Sequence, residues 1–205
     1  MLSARSLSKR REKSIILVHG LFTGSEYWLR YLSYFSEYNV VLIHVEYQKL
    51  LELETQMNEF SSELRILLRG KEVVGILGHS LGCLISDMIA QRHDYLNIQI
   101  CPVQFAVRKN LEGFVASILL KNSKHRESDI IELLESVNAY LKRFSFTERD
   151  NTSGVRKILL PLDDEYFDYF LDIKGFDSFQ GDHFDIRHAV ELIRDKYLPP
   201  SMRGL

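Results

Sequence analysis

Two spacings of apolar residues run along this chain. Uninterrupted runs rich in β-branched residues occur at SIILVHG (14–20), NVVLIHVEY (39–47), KEVVGIL (71–77) and NIQICPV (97–103). Their length and polar boundaries predict strands buried on both faces. Between them the apolar residues recur at helical intervals. Trp28, Leu29, Leu32 and Phe35 predict a helix with Ser25 as its N-cap, and Met57, Phe60, Leu64, Leu67 and Leu68 predict another over 54–69, stopped by Gly70. LGCLISDMIAQRH (81–93) reads as a third. Alternation of this kind predicts an α/β chain, a three-layer α/β/α sandwich around a mostly parallel sheet.

The alternation breaks over 104–147, where LEGFVASILLKN and SDIIELLESVNAYLKRF are successive amphipathic helical patterns with no strand between them. They predict a helical insertion laid over one edge of the sheet. Strand candidates return in VRKILLPLD (155–163) and EYFDYFLDIKGF (165–176), followed by the polar GDHFD and a closing helix, RHAVELIRDKYL, ended by Pro199-Pro200. The expected sheet has about six strands. Residues 1–13 read as a flexible lead-in, and residues 1–205 as one domain.

Composition changes this picture little. The 205 residues carry a formal net charge of -2, which offers no field to gather nucleic acid or coat an anionic membrane. No apolar run reaches the roughly 18 residues of a membrane span. The opening MLSARSLSKRREK is basic but lacks the apolar stretch of a secretory signal, which favours the cytoplasm, although a short basic, Ser-containing start also resembles an organelle-targeting segment. Cys83 and Cys101 are too few for a disulfide scaffold and read as small buried side chains. Asn151-Thr152-Ser153 is formally a glycosylation acceptor. No metal-ligand spacing and no phosphate-binding loop is found, so neither metal nor cofactor is expected.

The candidate chemistry sits at Gly78-His79-Ser80-Leu81-Gly82, between a buried strand and a helix. A sharp turn there would expose Ser80 at the helix N-terminus, where free N–H groups and the helix dipole favour a developing negative charge. Gly78 and Gly82 would remove side chains that collide with the neighbouring strand and helix. The alternative is an ordinary strand-to-helix turn with Ser80 as N-cap.

Three segments together resemble the α/β-hydrolase superfamily, from about residue 14 onward: His19-Gly20-Leu21 after the first strand, the Gly78–Gly82 turn, and His183 before the last helix. The resemblance implies a minimal α/β-hydrolase fold without the usual N-terminal antiparallel hairpin, with 104–147 as a helical lid. It implies Ser80 as nucleophile, His183 as base, and the N–H groups of Leu21 and Leu81 as an oxyanion hole. His19 and His79 belong to loop motifs in which histidine is structural, His44 to a strand, His93 to a helix end, His125 to the insertion and His188 to the last helix. For the acid, the Asp163-Asp164-Glu165 stretch after KILLPL resembles the family's paired aspartates, which favours Asp164, with Asp163 second and Asp168 and Asp172 behind.

A serine activated by a neutral imidazole attacks acyl carbon and forms an acyl-enzyme. The GDHFD wording and the helical insertion resemble thioesterases that act with polyketide and nonribosomal peptide synthases. Thioester hydrolysis is therefore the first expectation, with an acyl group carried on a carrier protein or coenzyme A. Carboxylesterase or lipase activity comes second. An acyltransferase or cyclase would use the same residues, and a hydrolase fold kept as a binding module without turnover stays open.

Overall fold

The computed structural model describes residues 2–7, 11–121, 126–143, 155–169 and 175–198. His125, Asp172, Asn151-Thr152-Ser153 and Pro199-Pro200 lie outside these residues. In chain order the elements are β1 (Leu2–Ser6), β2 (Lys13–Val18), a 3-10 helix (Ser25–Phe35), β3 (Asn39–Val45), α1 (Leu53–Leu67), β4 (Glu72–His79), α2 (Gly82–His93), β5 (Asn97–Ile100) and β6 (Ala106–Arg108). They continue through α3 (Leu111–Lys121), α4 (Glu127–Arg143), β7 (Arg156–Pro161), β8 (Phe167–Tyr169), β9 (Phe176–Phe179) and α5 (Arg187–Leu192).

Seven strands form the main sheet in the order β1-β3-β2-β4-β5-β7-β9, and a separate ribbon pairs β6 with β8. All main-sheet pairs are parallel except β1 with β3. The sheet differs from the expected six strands in two ways: the candidate within 165–176 leaves the main sheet as β8, with β9 taking its place beside β7, and the basic lead-in adds a seventh strand. Residues 2–6 add an antiparallel edge strand whose alternating exposure fits a strand with one face on the protein.

Within β2, Ile16 and Val18 enter a core shared with α1, α2, α3 and α4, whereas Ile15 and Leu17 face the 3-10 helix and α5. This is the three-layer arrangement that period-2 strands buried on both sides require. The first predicted helix is 3-10, with Gly24 rather than Ser25 at its N-cap position. Its tighter turn buries Trp28 and Tyr31 three residues apart and leaves Leu29 47 % exposed, so Leu29 does not share the apolar face.

The expected helical insertion over 104–147 begins instead with the short strand β6, which leaves the main sheet to pair with β8, and α3 and α4 follow it. Ile130, Leu134, Val137 and Tyr140 form the buried stripe of α4, and Phe114, Val115 and Ile118 that of α3. A partly buried polar set anchors α2 to the sheet: Ser86 donates to Asn97 Oδ1 at 2.9 Å, while Asp87 Oδ1 receives Asn97 Nδ2 at 2.9 Å and the Arg156 guanidinium. Among the described residues no helix is long and apolar enough to cross a membrane.

Candidate active site

β4 ends at His79, and the chain turns so sharply that Ser80 adopts φ 55°, the left-handed region that costs a non-glycine residue about 1 kcal/mol. The neighbouring backbone leaves space only for glycine on either side of it. A Cβ on Gly82 would lie 2.4 Å from His19 O, and one on Gly78 would lie 2.7 Å from Cys83 Cα. The turn is held by Ser80 N–H to Ile100 O at 2.9 Å and by Cys83 N–H to Ser80 O at 3.1 Å. The Cys83 thiol, raised in pKa by burial, sits under it at 3.2 Å from Gly78 O. Ser80 does not cap α2: Leu81 occupies the N-cap position without a side-chain cap.

The Ser80 hydroxyl instead meets His183. Oγ lies 2.8 Å from Nε2, and His183 Nδ1 lies 3.3 Å from Asp164 Oδ2. The structure thus brings Ser80, His183 and Asp164 into one hydrogen-bonded chain, with the residues 6 %, 1 % and 7 % exposed. Asp163 is exposed and outside this chain, as is Asp168, which pairs with Lys109 at 3.1 Å. A carboxylate on Nδ1 fixes the imidazole tautomer that leaves Nε2 free to accept a proton.

Asp164 is surrounded by donors. Oδ1 accepts from Tyr166 N–H at 2.9 Å and Phe167 N–H at 3.1 Å, and Oδ2 accepts from the Tyr169 hydroxyl at 2.8 Å. Burial pushes the Asp164 carboxyl pKa upward, but the bond and charge of His183, together with these donors, outweigh it, and the net shift is downward. Burial raises the Tyr169 phenol well above its ordinary value, which keeps it a donor. Tyr169, also 3.3 Å from His183 Nδ1, was not singled out from sequence. A tyrosine five residues after an aspartate carries no pattern of its own.

Two further histidines support the arrangement. His79 Nε2–H donates to His183 O at 2.8 Å, and its ring stacks on Tyr27 with centroids 4.9 Å apart. Burial first, then the neighbouring His183, lowers its pKa to about 3. His19 donates from Nδ1 to Gly20 O at 2.8 Å and accepts Val45 N–H on Nε2 at 3.0 Å, and burial lowers its pKa to about 4. Both fit the structural role expected of them. His44 and His188 are exposed, and His93 closes α2.

Leu81 follows Ser80 directly. Leu21 follows Gly20, on which a Cβ would come within 2.9 Å of Ser80 Cβ. Among the described residues neither the Leu21 N–H nor the Leu81 N–H has a backbone acceptor. Beside them opens a cleft of about 620 Å³, walled by Leu21, Phe22, Val45, Tyr47, Ile118, Leu133 and Phe184 and edged by Glu26, Arg30, His44 and Glu46. Ser80 does not itself line this cleft. Among the described residues no group of three His, Cys, Asp or Glu side chains could hold a metal ion.

No family model matches the chain, and no curated protein matches it. Solved structures do. The thioesterase domain that cyclises the lipopeptide antibiotic surfactin is similar at 11 % identity and a TM-score of 0.61, covering 97 % of this chain and 96 % of that one. An α/β superfamily hydrolase from Oenococcus oeni PSU-1 is similar at 14 % identity and 0.60, over 95 % and 94 %. The type II thioesterase of the borrelidin biosynthetic cluster is similar at 14 % and 0.54, over 93 % and 92 %. At these identities the likeness concerns the fold: the chain has the α/β-hydrolase fold.

Proposed function

We propose that this α/β-hydrolase-fold chain is a serine hydrolase that cleaves an acyl thioester through Ser80, His183 and Asp164 and an acyl-enzyme intermediate. The observation that carries the reading is the 2.8 Å contact between Ser80 Oγ and His183 Nε2, with Ser80 held at φ 55°. A serine kept in a strained turn and hydrogen-bonded to a buried imidazole is arranged for deprotonation rather than for capping.

In the first step His183 Nε2 takes the Ser80 proton as Oγ attacks the acyl carbon, and the Leu21 and Leu81 N–H groups receive the carbonyl oxygen as it becomes negative. Asp164 accepts the His183 Nδ1–H and offsets the imidazolium charge. His183 then gives the proton to the departing sulfur, and water, deprotonated by the same imidazole, releases the acid. The apolar walls of the adjoining cleft, which include Ile118 of α3 and Leu133 of α4, suit an acyl chain covered by the insertion as a lid.

The thioester choice is supported by the Gly181-Asp182-His183-Phe184-Asp185 wording and by fold similarity to the surfactin and borrelidin thioesterases. An acyl group on a carrier protein or coenzyme A is the corresponding substrate. Oxygen-ester cleavage is the second reading, favoured by similarity to a marine microorganism esterase at 15 % identity and a TM-score of 0.56. Transfer or cyclisation differs only in the nucleophile that replaces water.

The test is labelling with a fluorophosphonate, mapping of the adduct, and turnover of acyl-coenzyme A, acyl carrier protein and p-nitrophenyl esters. Labelling confined to Ser80, with loss of at least about 10³-fold in Ser80→Ala, is expected. An unlabelled wild type or an active Ser80→Ala variant overturns the proposal.

A further inference from the structure

The β6–β8 ribbon carries a cation that nothing above uses. Arg108 stands opposite Phe167 in its antiparallel register, and side chains directly opposite share a face. The buried ring of Phe167 lies 4.6 Å from that of His183, so Arg108 projects from the side of the ribbon turned toward His183. Its guanidinium carbon is 5.9 Å from the Phe167 ring centre and 5.5 Å from that of Phe114, which itself stacks on the cleft-lining Phe184. Arg108 Nε is buried and, among the described residues, without a hydrogen-bond partner. Among the described residues no carboxylate forms an ion pair with this side chain: the neighbouring Asp168, opposite Val107 on the other face, is taken by Lys109 at 3.1 Å. Burial lowers the Arg108 pKa, and no nearby charge opposes that shift.

A partly desolvated guanidinium with no carboxylate partner among the described residues is unfavourable, and contacts with two rings offset only part of that cost. An anion entering the same space would recover the remainder, in the forked geometry that suits carboxylate and phosphate oxygens. We propose that Arg108 is a specificity residue that receives an anionic group of the substrate, so that the acyl compounds cleaved at Ser80 carry a carboxylate or phosphate. The inference rests on the serine-hydrolase reading. The anion comes from one of two sources: the far end of a dicarboxylic acyl group, or the leaving group of a phosphopantetheine thioester.

Two matched pairs separate these sources: p-nitrophenyl butyrate against mono-p-nitrophenyl glutarate, and butyryl-pantetheine against butyryl-4′-phosphopantetheine. Wild type is expected to favour the anionic member of one pair by at least about tenfold in kcat/KM, mainly through KM. Arg108→Gln should reduce that ratio to within about twofold, and Arg108→Lys, which keeps the charge but loses the fork, should fall between. In parallel, isothermal titration of the same anionic compounds into Ser80→Ala and Ser80→Ala/Arg108→Gln reads binding without turnover, and at least tenfold weaker binding to the double variant is expected. Absence of preference in both pairs, a preference that survives Arg108→Gln, or equal affinity in the two titrated proteins overturns the inference. Failure of fluorophosphonate labelling at Ser80 instead overturns the hydrolase reading, and the titration still decides the role of Arg108.

Discussion

Acidification from pH 7 to 4.5 acts on two imidazoles that the fold keeps neutral. His79 donates through Nε2 to His183 O, and its Nδ1 is buried without a partner among the described residues, so a second proton would add a charge that no described group accepts. His19 uses Nε2 to accept Val45 N–H, and a proton placed there would face another donor. His183 and Asp164 act on His79, and His44 and Glu26 on His19, but burial is the largest cause for both. Folding lowers their pKa values from 6.5 to about 3 and about 4, so below 6.5 the unfolded chain binds more protons than the folded one. Stability is therefore complete above pH 6.5 and falls as pH drops, down to about 4 for His19 and about 3 for His79. The lowered Asp164 carboxyl has the same sign, but its window lies below its ordinary value of 3.8.

Each uncompensated proton amounts to somewhat over 1 kcal/mol per pH unit, so the two histidines together give a slope of about 3 kcal/mol per unit and a loss of about 5 kcal/mol by pH 4.5. That is comparable to the whole stability of an ordinary domain, about 5–15 kcal/mol. The chain's single tryptophan, Trp28, is fully buried, and its fluorescence reports unfolding in urea titrations at several pH values. His79→Gln keeps an N–H donor but removes one titrating group, and it should halve the slope whatever its packing cost. A loss below about 1 kcal/mol between pH 6.5 and 4.5 would refute the account of these histidines as buried neutral groups.

Asp164→Asn should lower kcat by about 10³-fold or more in an acyl-ester assay, while the exposed Asp163→Asn stays within about twofold; the reverse order would make Asp163 the acid. Gly82→Ala places a Cβ 2.4 Å from the His19 carbonyl oxygen, a backbone atom that cannot swing away. A loss of about 3 kcal/mol or more in urea unfolding is expected. Gly70→Ala, at φ 73° with nothing within 4 Å of the new Cβ, should cost only about 1 kcal/mol, and equal costs would show that close approach is not what the glycine at 82 serves.

The strands that build the centre of the sheet were legible because parallel strands buried on both sides must be continuously apolar, as SIILV, VVLI and VVGIL are. β1 was not legible. LSARS is a half-buried edge strand with an exposed arginine, and only the free edge of β3 gives it a partner. The 3-10 form of residues 25–35 was hidden for a related reason: an apolar pattern with spacings of three and four fits either helix, and packing against β2 and β3 selects the tighter one.

Within the candidate site, the residues themselves singled out the Ser80 turn and its two glycines, whereas His183 and the Asp163-Asp164 pair came from the resemblance to the α/β-hydrolase superfamily. Turn chemistry is local, and glycines two residues either side of a serine leave a written mark. Only the tertiary structure decided that Asp164 rather than its neighbour points inward, and that Tyr169 shares its Oδ2 with His183. The same holds for His79 anchoring the His183 carbonyl across 104 residues and for Arg108 lying over two rings beside the site. These depend on which side chains meet after distant segments pair. Such meetings leave no periodicity in the chain, because their physical cause is burial and register between elements rather than the conformation of any one of them.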